Sequence, residues 1–187
     1  MKGCVTKPLP RDRTYTIEDI YNLPDRTRAE LIDGQMYMMA PPSTKHQRIS
    51  MNLSSTIHQY IKSNNGSCEV FSAPFAVFLN GDESEYLEPD ISVICDPNKI
   101  NDKGCVGAPD WIIEITSPSN PGHDYILKLN KYSNAGVKEY WIINQADQFI
   151  TVYFFEGGKF AQHYTFDDKV KVNIYNDMEI DFSALTF

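Results

Sequence analysis

Two short runs, Trp111–Ile115 and Glu139–Ile143, are almost wholly apolar, and a helical stretch from about His123 to Ala135, closed by Gly136, separates them. Runs so short and so apolar fit central strands buried on two faces. A strand, a helix and a second strand in that order predict a right-handed parallel crossover from 111–116 to 139–144. Whatever else the chain does, its other strands must join that unit and its helices must cover it.

The remaining signals fit around this unit. Thr16, with Asp19 three residues on, opens a short helix that Pro24 closes. Residues 29–37 read as a β-hairpin about Asp33-Gly34. Ser43 caps a long helix with Ile49, Leu53, Ile57, Tyr60 and Ile61 on one stripe, and Asn65-Gly66 ends it. Strands are predicted at Glu69–Phe71, Phe75–Leu79 and Ile91–Cys95, then at Phe149–Phe155, Phe160–Phe166 and near Val172 and Ile180. The fold class is therefore α/β, or α+β with a mixed sheet: a central mixed sheet flanked by helices, with an N-terminal hairpin and C-terminal antiparallel strands. At 187 residues without an internal repeat, the chain is expected to form one domain over 1–187, with 1–14 as an irregular arm.

Composition narrows the function classes. No apolar run approaches the ~18 residues that cross a bilayer, so no membrane partner is expected. The basic residues of Met1–Thr16 precede no apolar stretch, unlike a signal peptide, and a soluble, cytoplasmic protein is expected. Cys4, Cys68, Cys95 and Cys105 have no metal-site or redox-motif spacing and read as small, reduced, buried residues. The four histidines form no zinc pattern. Net charge is −8, which opposes strong non-specific nucleic-acid binding. Its distribution is uneven: residues 1–62 carry nine basic and six acidic residues, and residues 63–187 carry eight and nineteen. Clustered carboxylates awaiting a divalent cation fit that imbalance.

Glu114 is the residue most at odds with its surroundings. A carboxylate inside an apolar strand is costly unless a cation, an arginine or a catalytic role accounts for it; an outward-facing strand position is the plain alternative. Asp90 opens the apolar run 91–95, where a strand end can present a carboxylate, though a turn role after Pro89 suits it as well. Two carboxylates on adjacent strand ends, with a backbone carbonyl and waters, suit Mg2+ or Mn2+. A nearby lysine would complete a phosphodiester-cleaving set. On the helix 123–135, Lys128 lies roughly 60° from the stripe of Tyr125, Leu129 and Tyr132, while Lys131 lies about 120° away and should face solvent. Lys128 can reach the strand ends; a snorkelling surface role competes with this. Asp124 most simply stabilises its helix N-terminus. His46, in the first turn of the long helix, is a candidate for contact with phosphate at the site's edge, against a capping or solvent-facing role.

Glu-Leu-Ile-Asp-Gly at 30–34, Glu-Pro-Asp-Ile-Ser-Val at 88–93, Ala-Pro-Asp-Trp-Ile-Ile-Glu-Ile-Thr-Ser-Pro-Ser at 108–119, and Asp124, Lys128 and Tyr132 ahead of Ala-Gly-Val-Lys-Glu-Tyr-Trp-Ile-Ile at 135–143 resemble the Uma2 family (DUF820). That family comprises bacterial restriction-endonuclease-like proteins of the PD-(D/E)XK fold, and the resemblance runs from about Tyr15 to Phe166. It implies a metal-dependent endonuclease acting on DNA, with Asp90 and Glu114 as metal ligands, the Ile115 carbonyl completing the protein's share, and Mg2+ or Mn2+ bound. The usual third-motif lysine would fall at Thr116, so Lys128 stands in to position water. Glu30 is a candidate further carboxylate, as nucleases of this fold often carry one ahead of the first aspartate; an exposed hairpin residue is the alternative. DNA is the implied partner, bound weakly or by structure, and a homodimer would allow two-strand cutting. The competing reading is a catalytically inactive nuclease-fold binding or regulatory module.

Overall fold

In the computed structural model, residues 7–8, 13–116, 123–158 and 160–185 are described. Lys7–Pro8 (β1) pairs antiparallel with Tyr37 and Met38, so these two residues of the expected irregular arm are a strand, laid on a free hairpin edge. Helix α1 (Ile17–Tyr21) starts where the Thr16 amide donates to Asp19 Oδ2 at 2.9 Å, and it buries Ile17 and Ile20. The hairpin follows as β2 (Arg28–Ile32) and β3 (Gln35–Met39). Asp33 and Gly34 both have positive φ, as a two-residue primed turn requires. A side chain at Gly34 would come within 2.4 Å of the Thr14 methyl, which restricts the position to glycine.

Helix α2 (Thr44–Ser63) is capped by Ser43, whose hydroxyl accepts from the His46 amide at 3.1 Å. Its stripe of Ile49, Leu53, Ile57 and Ile61 is buried. At its end the Gly66 amide donates to the Ile61 carbonyl and the Asn65 amide to that of Lys62. This is a Schellman closure in which Asn65, at φ 51°, takes the left-handed position that glycine usually fills.

The strands that follow are β4 (Glu69–Ser72), β5 (Val77–Phe78), β6 (Ile91–Ile94), β7 (Ile100–Asn101), β8 (Gly104–Val106) and β9 (Trp111–Thr116). Helix α3 (His123–Ala135) leads to β10 (Glu139–Asn144), β11 (Phe149–Phe154), β12 (Ala161–Thr165), β13 (Lys169–Lys171) and β14 (Glu179–Asp181). The central sheet runs β12-β11-β10-β9-β6-β4. Among the described residues of this sheet only β9 and β10 are parallel, joined through α3 as the apolar runs predict; its other pairs are antiparallel. The fold is mixed α+β. Trp111, Ile113, Ile115, Trp141 and Ile143 face α2, whereas Ile112, Tyr140 and Tyr132 of α3 share a second core on the opposite face. Among the described residues, no helix is long and apolar enough to cross a membrane.

Two expectations are corrected. The strand expected at Phe75–Leu79 is shorter and lies outside the central sheet: only Val77–Phe78 is a strand, and it joins a small sheet with β8 and β7. Val77 commits its main chain to Leu87, outside the central sheet. Cys68 and Cys95 are not reduced thiols but a disulfide, Cα atoms 3.9 Å apart. Continuing the β4–β6 register by one step sets them directly across from each other. Cys105 is free and buried, as expected; Cys4, and the side chains of Asp124 and Tyr125, lie outside the described residues.

Candidate active site

Alternation along β9 sends Ile112, Glu114 and Thr116 toward α3. The β6–β9 register pairs Ile91 with Ile113, so Asp90, one residue before β6, stands opposite Glu114 on the same face. One turn of α3 then closes over this pair. Lys128 and Tyr132, four residues apart and on one helix face, both reach Glu114: Lys128 Nζ donates to Glu114 Oε1 at 2.9 Å, and the Tyr132 hydroxyl to the same oxygen at 2.9 Å. Lys128 also donates to Glu30 Oε1 at 2.8 Å. From the N-terminal turn of α2, His46 Nε2 lies 3.1 Å from Asp90 Oδ2, which also accepts from the Ile115 amide at 2.7 Å.

Asp90, Glu114, Lys128, Glu30, His46 and Ile115 are thus brought together from five separate elements. Glu30 is not an exposed hairpin residue; its side chain is 1% exposed. His46 does not face solvent either. Its amide serves the cap, and its ring is buried against Asp90. Lys131, expected in solvent, is ion-paired with Glu85 and with Asp33 at 2.5 Å, because the hairpin tip and the segment before β6 fold over α3.

Charge at the site is unbalanced. Three carboxylates face one ammonium, and water is largely excluded: the side chains of Lys128 and Glu114 are 14% and 13% exposed. Burial pushes the Glu114 carboxyl up to about 7; Lys128 pulls it down, and the charges of Asp90 and Glu30 push it up again. For Lys128, burial favours losing the proton, but Glu114 and Glu30 outweigh it and hold the group charged. Burial likewise opposes the His46 cation, yet the hydrogen bond to Asp90, the charges of Asp90 and Glu114, and the main chain of Ile115 raise its pKa overall.

Among the described residues, no three acidic, histidine or cysteine side chains group tightly enough to hold a metal unaided. The donor set still fits a hard cation. The described hydrogen bonds to Asp90 end on Oδ2 and those to Glu114 on Oε1, and the surplus charge is negative. Mg2+ is commonly held by one or two carboxylates, with waters and substrate oxygens completing its shell.

Sequence reasoning missed the supports of Glu30. The Glu88 amide donates to Glu30 Oε1 at 3.2 Å, while the Glu88 carboxylate accepts from Arg28 Nε and from the Tyr86 hydroxyl, each at 2.6 Å. Alternation offered one clue, since Arg28 and Glu30 share a face of β2.

The comparisons agree with this architecture. The Uma2 family, described as "Putative restriction endonuclease", matches residues 17–186. The uncharacterized protein slr1290 of Synechocystis sp. is 28% identical over 129 residues, 68% of this chain and 66% of its own length. A second uncharacterized Synechocystis protein, sll1609, is 30% identical over 121 residues, 63% of this chain and 67% of its own. The chain thus spans about two thirds of these relatives. The crystal structure of "a putative nuclease belonging to DUF820" from Anabaena variabilis superposes with a TM-score of 0.73 at 22% identity, covering 91% of this chain and 96% of that one, a likeness of fold.

Proposed function

The chain belongs to the Uma2 family, and from that premise we propose that it is a metal-dependent endonuclease hydrolysing phosphodiester bonds in DNA. The observation that carries this reading is the meeting of Asp90, Glu114 and Lys128 in one largely buried cluster. Asp90, Glu114 and the Ile115 carbonyl would hold Mg2+ or Mn2+. When bound, such a cation polarises the phosphate and lowers the pKa of its water.

The chain's own residues do the rest. Lys128 keeps its proton, so it acts as a fixed positive donor that orients water and meets developing charge, not as a base. Glu30 anchors that ammonium, and Tyr132 fixes the carboxylate beside it. His46 and the Ile115 amide hold the Asp90 carboxylate in one orientation.

A second reading, a nuclease-fold binding module without catalysis, draws support from the acidic residues 63–187 and from the closed contacts of Lys128 with two carboxylates. Two measurements separate them. Mn2+ should raise the melting temperature of the wild type but not of Asp90→Ala, and Mg2+-dependent nicking of DNA should vanish in Glu114→Ala. Undiminished cleavage by Glu114→Ala removes the mechanism. A melting temperature indifferent to Mn2+, with no cleavage, leaves the binding module.

A further inference from the structure

The face of the β2–β3 hairpin that meets α3 is unusually polar for an inner face. Glu30 pairs with Tyr37 and Ile32 with Gln35, so these four side chains share it, while Ala29, Leu31 and Met36 fill the α1 core behind. Beside this face lies a cavity of about 460 Å³ bounded by Ile32, Gln35, Tyr37, Leu127, Thr14 and Arg13. That volume lies within the range of small-molecule sites, about 300–1,000 Å³.

Its position matters more than its size. Tyr37 stands directly across from Glu30, and Leu127 immediately precedes Lys128, so two of the lining residues neighbour the partners of the Lys128–Glu30 ion pair. Its walls combine an aromatic ring, two aliphatic side chains and the amide of Gln35, a residue 7% exposed. Such walls match a flat heteroaromatic ring with a polar edge. They match a bare phosphate poorly, with Asp33 on the lining and a net charge of −8. A protein this acidic gains little from neutralising phosphates, so its hold on a strand must come from bases.

We propose that this cavity seats one unpaired nucleobase, that of the nucleotide flanking the phosphodiester at Lys128. Tyr37 stacks on the base and Gln35 contacts its polar edge. The substrate is then a single strand, or a duplex distorted enough to release a base, rather than continuous duplex. This rests on the nuclease reading for the placement of the phosphate, but the base site can be tested apart from cleavage.

The probe is a short single strand carrying one 2-aminopurine, titrated by fluorescence against the full chain in EDTA, so that nothing is cut. The wild type should bind it at least about tenfold more tightly than the same sequence as duplex, and Tyr37→Ala should lose about tenfold or more. Tyr37→Phe, which keeps the ring, should retain binding. Thr14→Trp, at an exposed rim position, should block the mouth and weaken binding without touching Tyr37, which keeps the test decisive if Tyr37→Ala fails to fold. Equal binding of strand and duplex, or binding unaffected by Tyr37→Ala and by Thr14→Trp, overturns the base site. Should Mg2+ then support cleavage of duplex and strand alike, the nuclease reading stands without it. Should binding depend on Tyr37 and Thr14 while neither Mg2+ nor Mn2+ supports cleavage, the base site stands and the nuclease reading falls.

Discussion

Two glutamates sit in neighbouring parallel strands, Glu114 partly buried in β9 and Glu139 wholly buried in β10, and they are treated in opposite ways. Glu139 is wholly buried, on the α2 side and at the opposite end of the strand pair. It accepts from Trp141 Nε1 at 2.7 Å, from the Asn173 amide and side chain at 2.7 and 3.0 Å, and from the Ile174 amide at 2.9 Å. Every one of these donors is neutral and fixed. Burial raises its pKa while these hydrogen bonds oppose the rise. Glu114 has one phenol and one ammonium, and it shares the ammonium with Glu30. A carboxylate used as a fastener has its oxygens saturated by neutral donors; a carboxylate used as a ligand is left in a surplus of negative charge.

The largest expected effect is on the fastener. Glu139→Ala orphans four donors, each costing at least about 1 kcal/mol, and should destabilise the fold by about 5 kcal/mol in urea denaturation. Near pH 4.5, where the Glu114 carboxyl is protonated in the native chain, Glu114→Gln should stay within about 1 kcal/mol of the wild type. Equal losses would erase the distinction. Next comes Lys128→Met, which strands Glu30 and Glu114 without their cation and should cost about 4 kcal/mol. Adding Glu114→Gln to Lys128→Met should recover part of that loss, and the recovered part is the coupling between the two side chains.

The same contrast separates what the sequence discloses from what it conceals. Glu114 stands out because it interrupts an apolar run with apolar residues on both sides, a local signal. Glu139 begins a similar run and looks like an ordinary strand edge, because three of the four donors that satisfy it lie 34 and 35 residues further on. The parallel crossover, the hairpin about Asp33-Gly34 and the Ser43 cap depend on neighbouring residues and are all legible. Lys128 is legible as well, since helical periodicity separates it from the apolar stripe. The Cys68–Cys95 bond, the burial of His46 and the support of Glu30 by Glu88 and Arg28 depend on strand register and on which loop covers which face. Periodicity carries none of that.

A smaller effect is read from pH. Burial raises the Glu114 carboxyl from 4.5 to about 7, so between those values the native chain holds a proton that the unfolded chain has released. Its contribution is fully present below about pH 4.5 and is lost as pH rises through about 7. The difference converts to about 3 kcal/mol. His46 has the other charge type: its raised pKa keeps its contribution intact below 6.5 and loses it as pH rises through the higher native value. Comparing wild type with Glu114→Gln from pH 4.5 to above 7 isolates the glutamate, and the stability of the wild type should fall relative to the variant. Under the proposed function, Mn2+ holds Glu114 ionised and should flatten that difference. A flat comparison without metal would mean that the burial of Glu114 is fully compensated.

The smallest effect concerns Lys131, one turn beyond Lys128 on α3. It also joins two carboxylates, but in weaker surroundings: the Asp33 side chain is 64% exposed and the lysine side chain 22%, while Glu85 alone is buried, at 4%. The contact with Asp33 is screened by water and adds little. Lys131→Met should therefore cost about 1 kcal/mol, mostly through the stranded Glu85, and Glu85→Gln should return most of it. The Mn2+-induced rise in melting temperature should survive Lys131→Met and disappear in Asp90→Ala. If Lys131→Met removed that response too, the two lysine clusters would act as one electrostatic unit, and the surplus of charge that sets Glu114 apart from Glu139 would have to be counted over both turns of the helix.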